Sequence, residues 1–306
     1  MRILIVASFN KGRFAPFIVE QAEALKRRGC EIEYLGLQGT GIQGYLRNLP
    51  LLKQKIKRFR PDVVHAHYGL SGLFANLQRR IPVVTTYHGS DINDKKVFRL
   101  SKIAIHLSAW NVFVSKKTLE IAQPNKKYVL LPCGIDLSDL QLTDKEEAKK
   151  KMGLYGNKRY ILFAGAFDNV VKNASLAKEA VALLHDNEVE LIELKGYSRD
   201  EVTLLMCASD VFLMTSLSEG SPQVIKESMA CGCPIVSVDV GDVKERIDGV
   251  DGCFVTSSQD PKMLAVLLQK ALSFEGRTEG RTKVVSDGLD NRHVINELIG
   301  VFLNVI

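Results

Sequence analysis

The sequence predicts an α/β fold divided into two domains. Short apolar runs alternate with longer amphipathic segments, a pattern typical of parallel strands connected by helices. The length of 306 residues exceeds the roughly 200 to 250 residues at which single cores of this class stop growing. The charge is also uneven: residues 1–155 carry 26 Lys and Arg against 13 Asp and Glu, and residues 156–306 carry 15 against 22. This asymmetry supports a domain boundary and indicates an anionic partner for the first half.

Buried apolar runs predict the strands of the first domain, and amphipathic stretches between them predict its helices. Gly29 is placed to end the first helix, and Ser115 is placed to cap the helix after the fifth strand. Between residues 140 and 157 the chain turns charged and helical (144–152), and we expect the linker there, so that the first domain spans 1–152. The preceding elements are a strand at 2–8, a helix at 15–28, a strand at 31–37, a helix at 43–60, and strands at 61–67, 82–91 and 111–115.

The second domain, 153–288, repeats the alternation, and 289–306 forms a separate C-terminal helix with one apolar side. Ser221 is expected to be the N-cap of a central helix, Pro222 its first residue and Gly232 its stop signal. The other predicted elements are strands at 160–165, 189–194, 211–214 and 234–238, and helices at 199–207, 241–247 and 261–272.

The turn that joins the strand at 211–214 to this central helix is the candidate ligand site. In an open parallel sheet, ligands bind at the carboxyl ends of strands, and a helix N-terminus there attracts phosphate. Glu219 stands before the helix, and Glu227 lies inside it on the flank of the apolar stripe, facing the cleft side. Two carboxylates therefore bracket one helix start.

The segment from Glu219 to Glu227, followed by Ser-Met-Ala-Cys-Gly-Cys-Pro-Ile-Val, resembles the Glu-x7-Glu signature of retaining glycosyltransferases of family 4. The resemblance implies two Rossmann-like domains that face each other across a cleft (the type B fold), with the C-terminal helix crossing back to the first. It also implies transfer of a sugar from a UDP- or GDP-linked donor to an acceptor hydroxyl, without a cofactor. Because no Asp-x-Asp pair occurs, a metal is not expected.

The resemblance assigns roles to individual residues. Glu219 would bind hydroxyls of the transferred sugar, and Glu227 would accept hydrogen bonds from the ribose. Ala166 follows Gly165 where relatives carry an arginine, so Lys172 alone remains for the diphosphate, unless Arg199 compensates. The implied donor-binding set is completed by the nucleobase loop and the helix start: Gly196, Tyr197, Gly220, Ser221 and Pro222.

In the first domain, the resemblance places His88 beside the transferred sugar, as a catalytic residue, and Gly12 and Asp91 on the acceptor side. His65 and His67 are expected to point to opposite sides of their strand, so that only one of them can face a given site. Cys133 replaces the asparagine usual in the family's Pro-Asn-Gly-Ile-Asp segment, which weakens a polar role there.

The helix predicted at 43–60 is basic and amphipathic, so it can lie on anionic lipid or pack on the core with a solvated basic face. The resemblance favours the membrane, because many relatives use lipid-linked acceptors at the cytoplasmic leaflet. Six cysteines in apolar surroundings fit a reducing compartment, and no signal peptide or spanning segment is predicted. We therefore expect a cytoplasmic protein, peripheral on the inner face of the cell membrane, that does not bind nucleic acid.

Three other functions remain open. A phosphorylase or a sugar-nucleotide epimerase would use the same fold, although neither needs the Glu-x7-Glu turn. A catalytically inactive nucleotide-sugar-binding partner of a polysaccharide assembly complex would fit the missing arginine.

Overall fold

The computed structural model describes residues 1–39, 41–125, 127–156 and 158–306. Within these ranges the chain forms two compact units, each built around its own parallel sheet. We call them the first unit, Met1–Gly134 with Asn291–Ile306, and the second unit, Ile135–Asp290.

The sheet of the first unit has six parallel strands in the order β2-β1-β3-β4-β5-β6. The strands are β1 Arg2–Ser8, β2 Glu31–Leu37, β3 Val63–His67, β4 Val83–Tyr87, β5 Trp110–Phe113 and β6 Tyr128–Leu130. The connecting helices are α1 Pro16–Arg27, α2 Gly41–Leu46, α3 Leu49–Phe59, α4 Gly69–Asn76, α5 Ser90–Asn93, α6 Lys95–Leu107 and α7 Lys116–Ala122. The predicted capping role of Ser115 is confirmed, because its hydroxyl accepts a hydrogen bond from the amide of Thr118.

The single helix predicted at 43–60 is wrong, since the chain forms two helices, α2 and α3. Pro50 stands in the first turn of α3, where a helix needs no hydrogen bond from the backbone amide that proline lacks. In the middle of one continuous helix, the same proline would remove a hydrogen bond. The side-chain amide of Asn48 donates to the carbonyls of Gly44 and Tyr45, at 2.9 and 3.2 Å, and so closes the end of α2. The strand predicted at 82–91 is also too long, because α5 begins at Ser90.

The sheet of the second unit has five parallel strands in the order β11-β10-β9-β7-β8. The strands are β7 Arg159–Phe163, β8 Val189–Glu193, β9 Val211–Met214, β10 Ile235–Val238 and β11 Cys253–Thr256. Its helices are α8 Lys145–Lys151, α9 Ala174–Ala182, α10 Arg199–Ala208, α11 Gln223–Ala230, α12 Val243–Ile247, α13 Pro261–Leu272 and α14 Gly280–Ser286, with a 3₁₀ turn at Val170–Lys172. The strand order places the carboxyl ends of β9, β7 and β8 side by side.

The boundary between the units lies at residues 134 and 135 rather than at 152. Leu140 and Ala148 are buried in the core of the second unit, which draws α8 into that unit. The guanidinium of Arg281 also donates to the carbonyls of Leu137 and Leu140, at 3.1 and 3.2 Å. These contacts join sequence positions that are more than 100 residues apart, so the local charge pattern does not reveal them.

The last helix, α15 Asn291–Leu303, belongs to the first unit, as predicted. Its apolar side is buried together with residues of α1 and the sheet of that unit. The buried residues of this side are Val294, Ile295, Leu298, Val301 and Phe302.

Candidate functional site

The turn between β9 and α11 is held in place by the neighbouring turn that follows β7. The hydroxyl of Thr215 donates to the carbonyls of Lys172 and Asn173, both at 2.9 Å. The amide of Leu217 donates to the carbonyl of Val171 at 2.8 Å. These bonds fix the backbone that leads to Glu219 against the backbone that carries Lys172.

The helix start differs from the prediction by one residue. α11 begins at Gln223, and Pro222 is its N-cap rather than its first residue. Ser221 is not the N-cap, because its hydroxyl donates to Oδ2 of Asp242 at 2.8 Å. The predicted stop signal is confirmed, since Gly232 follows the C-cap and has a left-handed φ of +68°.

The four charged residues predicted for donor binding form two ion pairs. Nζ of Lys172 lies 2.7 Å from Oε1 of Glu219, and both side chains are about four-fifths buried. Nη1 of Arg199 lies 2.7 Å from Oε1 of Glu227, with side-chain exposures of 38% and 4%. A carboxylate has about four acceptor positions, so either acid can bind a ligand hydroxyl as well as its cation. Glu227, which was predicted on the flank of the helix, is thus buried, and the guanidinium of Arg199 covers it.

The loop that follows β8 completes this edge of the sheet. Gly196 has a φ of +86°, a conformation that favours glycine, and the Tyr197 side chain is exposed. Ser198 and Glu201 form a capping box that starts α10 and so places Arg199 in its first turn. The residues predicted to bind the donor therefore follow three adjacent strands, β7, β8 and β9, at their carboxyl ends.

A close backbone contact supports the turn from the side of β10. A Cβ added to Gly241 would lie 2.5 Å from the carbonyl oxygen of Gly220, and the φ of Gly241 is +59°. Both the space and the conformation therefore require glycine at this position.

The sequence did not single out a buried polar network behind this turn. Lys226 is fully buried, and its Nζ lies 3.3 Å from Oγ of Ser221. Asp242 accepts both the Ser221 hydroxyl, at 2.8 Å, and Nε of Arg246, at 2.9 Å. The sequence signal for this network was Lys226 itself, which directly follows the buried Ile225 on a short helix. A lysine is seldom fully buried without a specific role.

In the first unit, three histidines form a chain of contacts. Nδ1 of His67 lies 3.0 Å from Nε2 of His88, and Nε2 of His65 lies 2.8 Å from Oγ1 of Thr86. The rings of His65 and His67 are 4.3 Å apart, so the prediction that they face opposite sides of β3 is wrong. Residues two apart share one face of a strand. Burial lowers the pKa of His65 to about 3 and that of His67 well below its usual value, so both rings are neutral at pH 7.

Asp91 is buried and serves the backbone around His88. Its Oδ1 accepts from the amides of His88 and Gly89, both at 3.0 Å, and its Oδ2 accepts from the amide of Gly69 at 2.9 Å. Burial raises its pKa to about 6, although the amide bonds act in the opposite direction. The side chain predicted for the acceptor side therefore holds the loop that carries His88.

His88 itself is half-buried between aromatic rings, with the centroids of Phe17 and Tyr68 each 4.7 Å from its own. Its Nδ1 lies 3.8 Å from Sγ of Cys133, so that thiol takes up a polar contact with the imidazole. Gly12 lies in an exposed turn after β1, with a φ of +68° and its amide bonded to the carbonyl of Phe9 at 3.0 Å. His88 and Gly12 both follow carboxyl ends of strands of the first sheet, β4 and β1.

Two further observations concern only the described residues. Among them, no group of three His, Cys, Asp or Glu side chains is arranged to hold a metal ion. In the same part of the chain, no helix combines the length and the apolar character needed to cross a membrane.

Two family models match the chain, one over most of the first unit and one within the second. The model described as Glycosyltransferase Family 4 matches residues 15–139, and the model described as Glycosyl transferases group 1 matches residues 177–273.

Curated relatives carry similar descriptions. The teichuronic acid biosynthesis glycosyltransferase TuaC of Bacillus subtilis is 28% identical over 224 residues, which cover 63% of this chain and 57% of that protein. Alignments with four such relatives span 57% to 62% of the relatives' own lengths. The matched part of the chain therefore spans about three fifths of the length of these four curated relatives.

Solved structures share the fold over almost the whole chain. Sucrose-phosphate synthase from Thermosynechococcus elongatus has a TM-score of 0.83 at 14% identity, covering 99% of this chain and 98% of that one. Anabaena HepE in complex with UDP-glucose has a TM-score of 0.73 at 16% identity, covering 99% of this chain and 100% of that one.

Proposed function

We propose a function from the premise that this chain belongs to the family 4 glycosyltransferases and has their type B fold of two parallel-sheet α/β units. The chain transfers a sugar from a UDP- or GDP-linked donor to an acceptor hydroxyl and retains the configuration of the anomeric carbon. The acceptor is a lipid-linked or growing surface-polysaccharide glycan. The observation that carries this proposal is the pairing of Lys172 with Glu219 beside the start of α11.

The hard step in such a transfer is departure of the nucleoside diphosphate, which places negative charge on the leaving phosphate. The first amides of a helix have no acceptor inside the helix, and the helix dipole adds a partial positive charge there. The start of α11 can therefore stabilise this charge as it develops, and Lys172 adds a full positive charge to it. Both groups are held in place by the hydrogen bonds of Thr215 and Leu217 before a ligand arrives.

The two acids bind the neutral parts of the donor. Glu219 accepts hydrogen bonds from hydroxyls of the transferred sugar and stabilises positive charge on its ring. Glu227 accepts hydrogen bonds from the ribose, as acidic residues do in other Rossmann-like sites. With no cofactor or metal in the scheme, the departing phosphate takes the proton of the acceptor hydroxyl, and the new bond forms on the face that the phosphate leaves.

The acceptor side is proposed for the first unit. Its net positive charge suits an anionic glycan carrier or an anionic membrane surface, which would make the protein peripheral on the cytoplasmic face. His88, bonded to the neutral His67, supplies a polar group on that side. The relative named for teichuronic acid biosynthesis supports a surface polysaccharide as the product.

A transfer assay tests the proposal. Purified protein is incubated with UDP- and GDP-sugars and a panel of lipid-linked acceptors, and release of nucleoside diphosphate and the anomeric signal of the product are followed by NMR. We expect release with one donor and a product of retained configuration. Glu219→Ala should lower turnover at least a hundredfold, whereas Glu275→Ala, at an exposed position outside the site, should leave it unchanged. Equal turnover in Glu219→Ala and the unaltered chain would contradict the proposal.

One observation favours a second candidate, an inactive nucleotide-sugar-binding partner. Ala166 stands where relatives carry an arginine, and both cations predicted for the diphosphate already pair with acids. Such a partner would bind a nucleotide-sugar tightly and release no nucleoside diphosphate with or without acceptor, which the same assay distinguishes.

A further inference from the structure

The carboxyl end of β3 carries two buried histidines that have different partners. His65 and His67 lie on the same face of the strand, and both side chains are fully removed from solvent. Nε2 of His65 lies 2.8 Å from Oγ1 of Thr86, whereas Nδ1 of His67 lies 3.0 Å from Nε2 of His88. Within the described part of the chain, the other ring nitrogen of each histidine is buried and has no hydrogen-bond partner. The two histidines are therefore alike in position and burial and differ in the side chain to which each is bonded.

Packing alone does not explain an imidazole at position 67. A buried ring nitrogen without a partner is costly, and a phenylalanine would fill similar space without that cost. The nitrogen of His67 that does have a partner faces His88. Burial lowers the pKa of His67 and keeps its ring neutral, and the Nδ1 of a neutral imidazole can donate or accept a hydrogen bond. The bond to His88 can therefore form in either tautomer of His67.

The bond from His67 distinguishes the two nitrogens of the His88 ring. The centroids of Phe17 and Tyr68 each lie 4.7 Å from the centroid of His88. Contact with carbon atoms of this kind permits two ring orientations that differ by a half-turn about the Cβ–Cγ bond. A hydrogen bond at Nε2 selects one of them. The contact of Nδ1 with Sγ of Cys133, at 3.8 Å, is the weaker of the two polar contacts, because a thiol is a poor donor and a poor acceptor.

We infer that His67 is a positioning residue for the sugar transfer: its hydrogen bond fixes the orientation of the His88 imidazole at the carboxyl edge of the first sheet. The inference rests on the proposed function, in which His88 is the polar side chain that the first unit supplies on the acceptor side. Because His67 is fully buried, it acts through His88 and touches no substrate. The diphosphate and the ribose are assigned to the second unit, so loss of this bond should slow turnover without changing the affinity for UDP.

The turnover and the UDP affinity of matched variants test this inference. His67→Phe keeps a ring and loses the hydrogen bond, so kcat should fall about tenfold, the upper end of what one hydrogen bond contributes, while the Kd for UDP changes less than about twofold. His67→Asn can place its amide near the position of Nδ1. Its kcat should therefore stay within about threefold of that of the unaltered chain, although the smaller side chain lowers the melting temperature.

His65→Phe is the matched control, since it removes a buried imidazole from the same face of β3 and leaves the bond between His67 and His88 in place. Its kcat should stay within about twofold of that of the unaltered chain. Turnover is measured as release of nucleoside diphosphate at saturating donor and acceptor, and the Kd for UDP is measured by calorimetry. A melting curve of each variant reports its stability separately from its turnover.

A purely structural role for His67 predicts the reverse order, in which kcat follows the melting temperature and His67→Asn is the slowest variant. That order would overturn the inference, as would an unchanged kcat in His67→Phe or equal losses of kcat in His65→Phe and His67→Phe. If His67→Phe does not fold, His67→Asn is compared with His67→Gln, whose amide lies near the position of Nε2 instead of Nδ1, and equal kcat in these two would overturn the inference. If the unaltered chain transfers no sugar, the proposed function itself fails, and the inference with it.

Discussion

Glu227→Gln tests the role of the inner acid of the turn. Glutamine has nearly the same size, so the buried position, 4% exposed at the side chain, accepts it without leaving a cavity. The change removes a charged acceptor 2.7 Å from Arg199 and, in our account, from the ribose. A hydrogen bond to a charged group contributes about 1.5 to 3 kcal/mol, which corresponds to about 13- to 160-fold in a binding constant.

The lower half of that range is the better expectation. Arg199 is 38% exposed, so water can solvate its guanidinium once the carboxylate is gone. We expect the Kd for UDP to rise about 13- to 40-fold and the Kd for uridine to rise by the same factor, because the ribose is common to both. At saturating donor, kcat should stay within about threefold.

Calorimetry on the variant and on Glu179→Gln, an exposed position on α9, provides the measurement and its control. Unchanged affinity for both ligands would refute the ribose contact. A loss for UDP that uridine does not share would also refute it, since Glu227 would then act on the phosphates.

Two other changes test the support of the site and the buried histidines. Gly241→Ala places a Cβ 2.5 Å from the carbonyl oxygen of Gly220 and should lower the melting temperature and UDP affinity together. Gly276→Ala, at a φ of +83° with open space around it, should cost only about 1 kcal/mol of backbone strain and leave UDP affinity unchanged. Equal losses of melting temperature and UDP affinity in Gly241→Ala and Gly276→Ala would contradict the packing argument. Because burial lowers the pKa of His65 to about 3, the unfolded chain alone binds this proton between pH 6.5 and 3. The stability that His65 contributes is complete above pH 6.5 and is lost as the pH falls, by about 5 kcal/mol at most. The free energy of unfolding of His65→Gln, measured with urea, should therefore depend less steeply on pH than that of the unaltered chain. The same pH dependence in both proteins would contradict this argument.

Much of the fold could be predicted because its strands are continuous apolar runs and its helices have one apolar side. The strands at 2–8 and 31–37 were found in this way, whereas the return of the last helix to the first unit was implied by the family resemblance. The break between α2 and α3 had a local signal in Pro50. Residues two apart on a strand share a face, so the shared face of His65 and His67 could have been predicted from the sequence. The prediction placed them on opposite sides and was wrong.

The remaining features of the site depend on distant partners. Ser221 has the composition of an N-cap, but Asp242, 21 residues further along the chain, takes its hydroxyl. The sequence identified both Glu219 and Glu227, yet not that Lys172 and Arg199 pair with them, because those contacts span 47 and 28 residues. Tertiary contacts of this kind override local preference, and one sequence does not show them.

The central claim is that the turn before α11 binds the diphosphate of the donor through its backbone. The most direct measurement is the NMR amide signal of Gly220 and Ser221 in ¹⁵N-labelled protein, followed during titration with UDP and, separately, with uridine. The account predicts saturable shifts of both signals with UDP and little change with uridine. Signals that stay in place while UDP binds, as shown by shifts elsewhere in the spectrum, would contradict it.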